Sequence, residues 1–404
     1  MNVSGRGELM VTPIDDRLVR GALELEPTAH GVRPHRFPTA ARRRFEDSFL
    51  TMVEAQPTGA RVVFRTRATV VELDALPTRV AFSNGLALPR GVFEMLVDGR
   101  PAGAASIPTG IMHRIDATSG AIDTEYGPAG TVRFAELPAV PKTVEIWLPH
   151  TESLELIALR TDAPIEPAPA PDRAWVHYGS SISHGSNAER PTATWVATAA
   201  RAAGVDVLNL GLRGNALLDQ FAARTIRDAP ADMISLEIGI NLVNADAMRS
   251  RTFTSAVHGF LDTVRDGHLT TPLLVVSAIL CPIHEHTPGP CSTESVGGRI
   301  LFRADGDPDD PTRLTLTRMR TELARIVEQR EVEDPNLHYL DGTVLYGTAD
   351  FAARPLPDRL HPDAATHLLI GERFADRVFA EPGPFARSRA GDVLSNDGRR
   401  DGTR

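Results

Sequence analysis

The chain has 404 residues, 42% of them hydrophobic and 24% charged, the composition of a soluble globular protein long enough for about two or three domains. Its net charge of -9, with no basic run or aromatic–basic interleaving, argues against nucleic-acid binding. No stretch approaches the ~18 apolar residues of a spanning helix, the first twenty residues show neither secretory signal nor anchor, and two cysteines, Cys281 and Cys291, cannot be a disulfide framework; the location these features imply is cytoplasmic.

From residue 21 to 160 the sequence is strand-like. Residues 61–65 and 68–73 are rich in β-branched side chains, and 92–97 leads into Asp98-Gly99, a hairpin signal. Strands at 131–137, 143–148 and 154–159 come next, at the spacing of a sandwich or barrel. Val144, Ile146 and Leu148 alternate cleanly with Glu145 and Trp147. The prediction for residues 1–162 is an antiparallel, jelly-roll-like β-sandwich with an irregular leader, serving the C-terminal half as a rigid flank or a substrate-binding element. Residues 163–172 hold Pro164, Pro167, Pro169 and Pro171 and read as a semi-rigid linker that continues neither a ladder nor a helix.

Past the linker, strands and helices alternate. Helical spacing appears at 194–203, 216–228, 253–264, 316–327 and 367–378, with strands at 205–210, 233–238, 273–280 and 337–340. Such alternation predicts a parallel sheet covered on both faces, a three-layer, flavodoxin-like α/β domain over 173–384. The Arg-, Asp- and Gly-rich tail, 385–404, has little to bury and is expected to be disordered.

Chemistry-bearing residues collect at the sheet edge where open α/β folds bind ligands. The run Trp175-Val-His-Tyr-Gly179-Ser180-Ser181-Ile-Ser183-His184 ends the first strand in small hydroxyl residues. Asn209 to Asn215 follows the second strand and includes Arg213 and Gly214; Gly239-Ile240-Asn241 follows the third. Asp358-Arg359-Leu360-His361 precedes the last helix. Taken singly each has a plainer reading: Ser181 as a helix cap, Asn241 (or Asn244) as a left-handed turn residue, His361 at a helix entry, Asp358 as an N-cap. Their order along the chain is what singles them out.

That ordered set resembles the SGNH hydrolases, also called the GDSL esterase family, over roughly residues 172–382. The resemblance implies Ser181 as nucleophile, His361 as its base and Asp358 as the orienting acid. It also implies an oxyanion site made of the Ser181 and Gly214 backbone N–H groups and the Asn241 amide. Ser180 stands where the family usually has aspartate, and Ser183 breaks the Gly-x-Ser-x-Gly pattern of the α/β-hydrolases. His184 and Arg213 are candidate substrate contacts. A β-sandwich in front of such a domain is similar to two-domain carbohydrate esterases and to the salicylyl acyltransferase of tetracycline biosynthesis.

The expected activity is ester hydrolysis through an acyl-Ser181 intermediate, acting on a small-molecule acyl ester. Transfer of the acyl group to an alcohol acceptor is the alternative, and a catalytically silent ligand-binding protein is the reading from outside the enzymes. No metal or cofactor is expected, because serine chemistry needs none. Cys281, His284, His286 and Cys291 have spacings that zinc tolerates. The prolines among them and the polar stretch up to Asp310 instead predict a wall or lid over the substrate site.

Overall fold

The computed structural model describes residues 9–45, 47–83, 89–116 and 119–387. Its N-terminal half contains two sheets. The strand order of the eight-stranded sheet is Ile122–Glu125, Ile111–Ile115, Val71–Phe82, Ser153–Thr161, Val32–His35, Glu24–Pro27. Met10–Thr12 also pairs with Ser153–Thr161, and Gly130–Phe134 with Val71–Phe82. The six-stranded sheet runs Ile165–Pro167, Arg61–Thr66, Lys142–Trp147, Phe93–Val97, Arg100–Ala105, with Val19–Arg20 beside Arg61–Thr66. Asp98 and Gly99 both have positive φ and close the predicted hairpin.

Period-two burial makes the core of this half. Val62, Phe64, Phe93, Met95, Val144 and Ile146 of one sheet share a buried cluster with Val71, Leu73, Ala75, Val132, Leu154, Leu156 and Leu159 of the other. Pairing is antiparallel throughout except between Val71–Phe82 and Ile111–Ile115, which run parallel from Thr78–Ile111 to Phe82–Ile115. The expectation of a wholly antiparallel arrangement fails at that pair.

In the C-terminal half five parallel strands are ordered Asp206–Gly211, Ala174–Gly179, Met233–Ile238, Leu273–Ser277, Leu337–Leu340. Every residue of Met233–Ile238 and of Leu273–Ser277 is buried, as befits strands covered on both faces. Trp195–Ala203 packs with Ala364–Phe374, while Gln220–Asp228, Ser250–Arg265 and Leu316–Glu331 form a second group. Strand order steps one way from the first strand to the second and the other way from the third onward. Right-handed crossovers therefore put the two helix groups on opposite faces. The reversal of order lies beside Ala174–Gly179, so the edge above that strand is the switch point where such sheets bind ligands.

Three boundaries differ from expectation. Ile165–Pro167, inside the predicted linker, adds an edge strand to Arg61–Thr66, because an edge tolerates the proline that an interior strand rejects. Arg20 then donates to the carbonyls of Ala168 and Pro169 and ties down the rest. Thr39–Arg42 and Ser48–Glu54 are helices, and Phe37, Leu50 and Val53 pack into the α/β core and not between the N-terminal sheets. Phe385 is buried against Phe379 and its carbonyl accepts from Arg173, so order extends past 384; residues 388–404 of the predicted tail lie outside the described residues.

The two halves meet through buried polar contacts. Arg36, fully buried, donates to the carbonyls of Val53 and Glu54 in its own half and of Asn209 and Gly211 at the end of a parallel strand. Arg61 pairs with Asp206, and Thr58 Oγ1 donates to the carbonyl of His184. Arg36 thereby anchors the loop that begins at Gly211, which leads into the site. Among the described residues no helix is long and apolar enough to cross a membrane.

Candidate active site

The strand Ala174–Gly179 stops at Gly179, and the short helix Ser181–His184 begins two residues later. Only glycine fits at 179, since a Cβ there would collide with Ser183 Oγ and Glu237 Oε2. Ser180 caps the helix: its Oγ accepts from the Ile182 N–H at 3.2 Å. Serine, where the resemblance implies aspartate, keeps the short acceptor side chain that this cap needs. Ser181 thus becomes the first residue of the helix, 6% exposed, and its own N–H has no acceptor among the described residues.

The turn before Ala364–Phe374, late in the chain, brings up the partners at the same strand end. Ser181 Oγ lies 2.9 Å from His361 Nε2, and His361 Nδ1 lies 2.8 Å from Asp358 Oδ2. Asp358 Oδ1 accepts from the N–H groups of Leu360 (2.9 Å) and His361 (2.7 Å), so one carboxylate holds both the imidazole and its backbone. Burial works against the charged form of Asp358. The hydrogen bond and charge of His361, with the two N–H donors, outweigh it and leave this carboxyl below its ordinary value. An ionised Asp358 fixes the proton of His361 on Nδ1, which leaves Nε2 free to accept from the Ser181 hydroxyl.

Asn241 sits in the helix Ile240–Asn244, directly after Met233–Ile238 and Gly239. Its Oδ1 accepts from the Ala216 N–H at 3.1 Å. Gly214, two residues before Ala216, has φ +69, and only the rim of the Phe49 ring, 3.7 Å away, comes near the place a Cβ would take. Its N–H has no acceptor among the described residues. Ser181, Gly214 and Asn241 therefore stand at three adjacent strand ends with N–H groups unengaged among the described residues.

Two groups escaped the sequence reading. Glu237, buried, accepts from the Ser180 N–H at 2.7 Å and from Ser183 Oγ at 3.3 Å, and burial raises its carboxyl above the ordinary value despite those donors. Ser183 Oγ also meets His177 Nε2 (2.8 Å), and His177 Nδ1 meets Ser235 Oγ (2.7 Å); burial pushes this imidazole down to about 3. A polar chain thus runs beneath the Ser180–Ser181 turn. Its signal in the sequence is three polar residues, His177, Ser235 and Glu237, inside strands that are otherwise apolar.

The second group is the hairpin Cys291–Val296 with Arg299–Ala304, formed within the segment expected to be a wall or lid. Phe302 donates its N–H to the Asp358 carbonyl at 2.9 Å, and its ring stands edge-on to His361 with centroids 5.4 Å apart. Arg359, at φ 71, pairs with Glu294 at 2.7 Å, and Cys281 Sγ donates to its carbonyl at 3.4 Å. The hairpin therefore buttresses the Asp358–His361 turn as well as flanking it. Among the described residues no group of three or more His, Cys, Asp or Glu side chains is arranged to hold a metal ion.

Of the two candidate substrate contacts, His184 is corrected. It is buried, with Nδ1 on the Gly211 carbonyl (3.1 Å) and Nε2 on the His150 carbonyl (2.7 Å), so it joins the halves and faces no substrate. Arg213 is half-buried, its Nε donating to Ser186 Oγ at 3.1 Å.

The comparisons with known proteins identify an enzyme of the esterase and acyltransferase class, with a GDSL lipase–acylhydrolase-like domain around the serine. Residues 172–283 match the family described as GDSL-like Lipase/Acylhydrolase, a stretch that includes Ser181, Gly214 and Asn241. Similarity to the salicylyl-acyltransferase SsfX3 of a tetracycline biosynthetic pathway covers 90% of this chain and 95% of that one, at 26% identity and TM-score 0.76. A Bacteroides ovatus protein described as a GDSL-like lipase is similar at 21% identity and TM-score 0.65, over 91% of this chain and 96% of that one. A family two carbohydrate esterase from Clostridium thermocellum, solved with cellohexaose, shares the fold at 13% identity and TM-score 0.54, over 79% and 91%. No curated protein matches the chain.

Proposed function

We propose that this enzyme is a serine esterase in which Ser181, His361 and Asp358 are the catalytic residues and the acyl group passes through Ser181. His361 Nε2 takes the hydroxyl proton as Ser181 Oγ bonds to the ester carbonyl carbon. The N–H groups of Ser181 and Gly214 and the amide of Asn241 receive the charge that develops on the carbonyl oxygen. Collapse breaks the bond to the leaving alcohol, which takes the proton back from His361. Water, activated by the same imidazole, then releases the acid and restores the serine. The observation that carries this reading is the 2.9 Å contact between Ser181 Oγ and His361 Nε2, with Asp358 behind the ring.

The two N-terminal sheets with their shared core are read as a β-sandwich, jelly-roll-like in outline, flanking the catalytic half. The substrate is a small-molecule acyl ester.

A fluorophosphonate probe tests the proposal: labelling is expected on Ser181, and an unlabelled Ser181 in folded protein supports a silent binding pocket instead. Transfer to an alcohol is the second reading, favoured by the similarity to an acyltransferase along nearly the whole chain. Incubation with an activated acyl ester and candidate alcohols separates the two. Free acid as the main product supports the esterase, and acylated alcohol outrunning it supports the transferase.

A further inference from the structure

We infer that Arg213 anchors an anionic group, a carboxylate or phosphate, carried by the substrate beside its scissile ester. The inference rests on the serine-ester reading and narrows its substrate class.

Two arginines of this chain are pressed by burial down to about 10, and they are satisfied very differently. In Arg36 all three guanidinium nitrogens donate to backbone carbonyls, and the charge of Glu54 offsets part of the burial. In Arg213 only Nε is engaged, on Ser186 Oγ; both terminal nitrogens lack a partner among the described residues, and no carboxylate pairs with the group. Neither terminal nitrogen is among the fully enclosed polar atoms, so both can be reached from outside. A half-buried guanidinium with no counter-charge among the described residues has lost part of its hydration without compensation, and an arriving anion relieves that cost. Its planar fork matches a carboxylate or phosphate edge.

Position ties this cation to the ester site. Arg213 immediately precedes Gly214. Ser186, to which it is fastened, donates its N–H to the carbonyl of Ser181 at 2.9 Å, and the next residue, Asn187, reaches Asp358 Oδ2 at 3.4 Å. The guanidinium is thus fastened to the segment that follows Ser181, beside the turn that carries Gly214. His150, 4% exposed, adds a second polar atom without a partner, Nε2. Burial first, then the charges of Arg213 and His367, holds its ring neutral, with a pKa of about 3.

The test compares matched esters that place the anion on either side of the scissile bond. On the acyl side these are the 4-nitrophenyl monoester of adipic acid and 4-nitrophenyl hexanoate. On the alcohol side they are 2-acetoxybenzoate and phenyl acetate. In the wild-type enzyme at least one anionic ester is expected to exceed its neutral partner in kcat/KM, after division by their spontaneous hydrolysis rates, with the preference weakening at high salt. In Arg213→Gln that ratio should fall about 10–100-fold, and Arg213→Lys should restore part of it. The pair that responds identifies which side of the ester bears the charge. Wild-type ratios no greater than the spontaneous ones overturn the inference without any variant. So do ratios in Arg213→Gln within about twofold of wild type. In either case turnover of the neutral esters with probe labelling of Ser181 leaves the serine mechanism standing. Failure to turn over any ester removes both.

Discussion

Asn241 Oδ1 accepts the backbone N–H of Ala216 at 3.1 Å, and only the oxygen of an amide can do that, so Nδ2 is turned the other way. The same bond couples the strand end bearing Asn241 to the turn bearing Gly214, two residues before Ala216. Two of the proposed oxyanion donors, contributed by different strand ends, are thus held in one frame.

Replacing Asn241 with Ala removes a preorganised donor and releases that frame. The expected loss is about 10²–10³-fold in kcat, with KM changed much less. Steady-state kinetics on an activated ester check it; a fall confined to KM contradicts the assignment.

Arg36→Met strips donors from the buried carbonyls of Val53, Glu54, Asn209 and Gly211 and leaves the Glu54 carboxylate with one fewer cation near it. Destabilisation of about 3–5 kcal/mol is expected in denaturant unfolding. Activity should fall as well, because the loop toward Gly214 begins at Gly211. An unfolding curve matching wild type would show that the interface does not depend on this side chain.

Glu237 gives a pH signature. Burial raises its carboxyl above the ordinary value of 4.5, so the folded chain holds a proton that the unfolded chain has released. Its contribution to stability is full below that ordinary value and is lost as pH rises through the raised folded value. Glu237→Gln keeps an oxygen to accept from the Ser180 N–H and cannot ionise. Its Tm relative to wild type should therefore improve from about pH 5 to about pH 8. A difference in Tm that is flat with pH contradicts the account.

Phe302→Ala removes the ring standing edge-on to His361 but keeps the backbone N–H that binds the Asp358 carbonyl. Aromatic contacts of this kind are worth about 0.5–1.5 kcal/mol, so kcat should drop about 3–10-fold. Phe302→Leu should recover part of it. An unchanged kcat in the alanine variant would mean the hairpin merely flanks the turn.

Ser181, Gly214, Asn241, Asp358 and His361 stand out in the sequence as candidates because each lies in a short run of small or polar residues that follows an apolar strand or precedes a helix. What stayed hidden depends on partners remote in sequence. Ser48–Glu54 is only seven residues long, and although Asp47 caps it, Leu50 and Val53 find their surface only on the α/β core. Pro167 signals a break unless its strand is known to lie at a sheet edge. His184 looks like a substrate contact by its nearness to Ser181, yet its Nε2 lies against a carbonyl 34 residues back, in the other half. The use of Glu237 emerges once Met233–Ile238 lies beside Ala174–Gly179 and its carboxylate meets the Ser180 N–H.

The most direct test of the acyl-serine account is turnover of an activated acetyl ester by wild type and by Ser181→Ala, with intact-mass analysis of the quenched wild-type reaction. The account predicts one acetyl adduct on the wild-type chain, mapped to Ser181, and loss of more than about 10⁴-fold in kcat for the variant. A folded Ser181→Ala protein that turns the ester over at the wild-type rate, or an adduct on another residue, would contradict it.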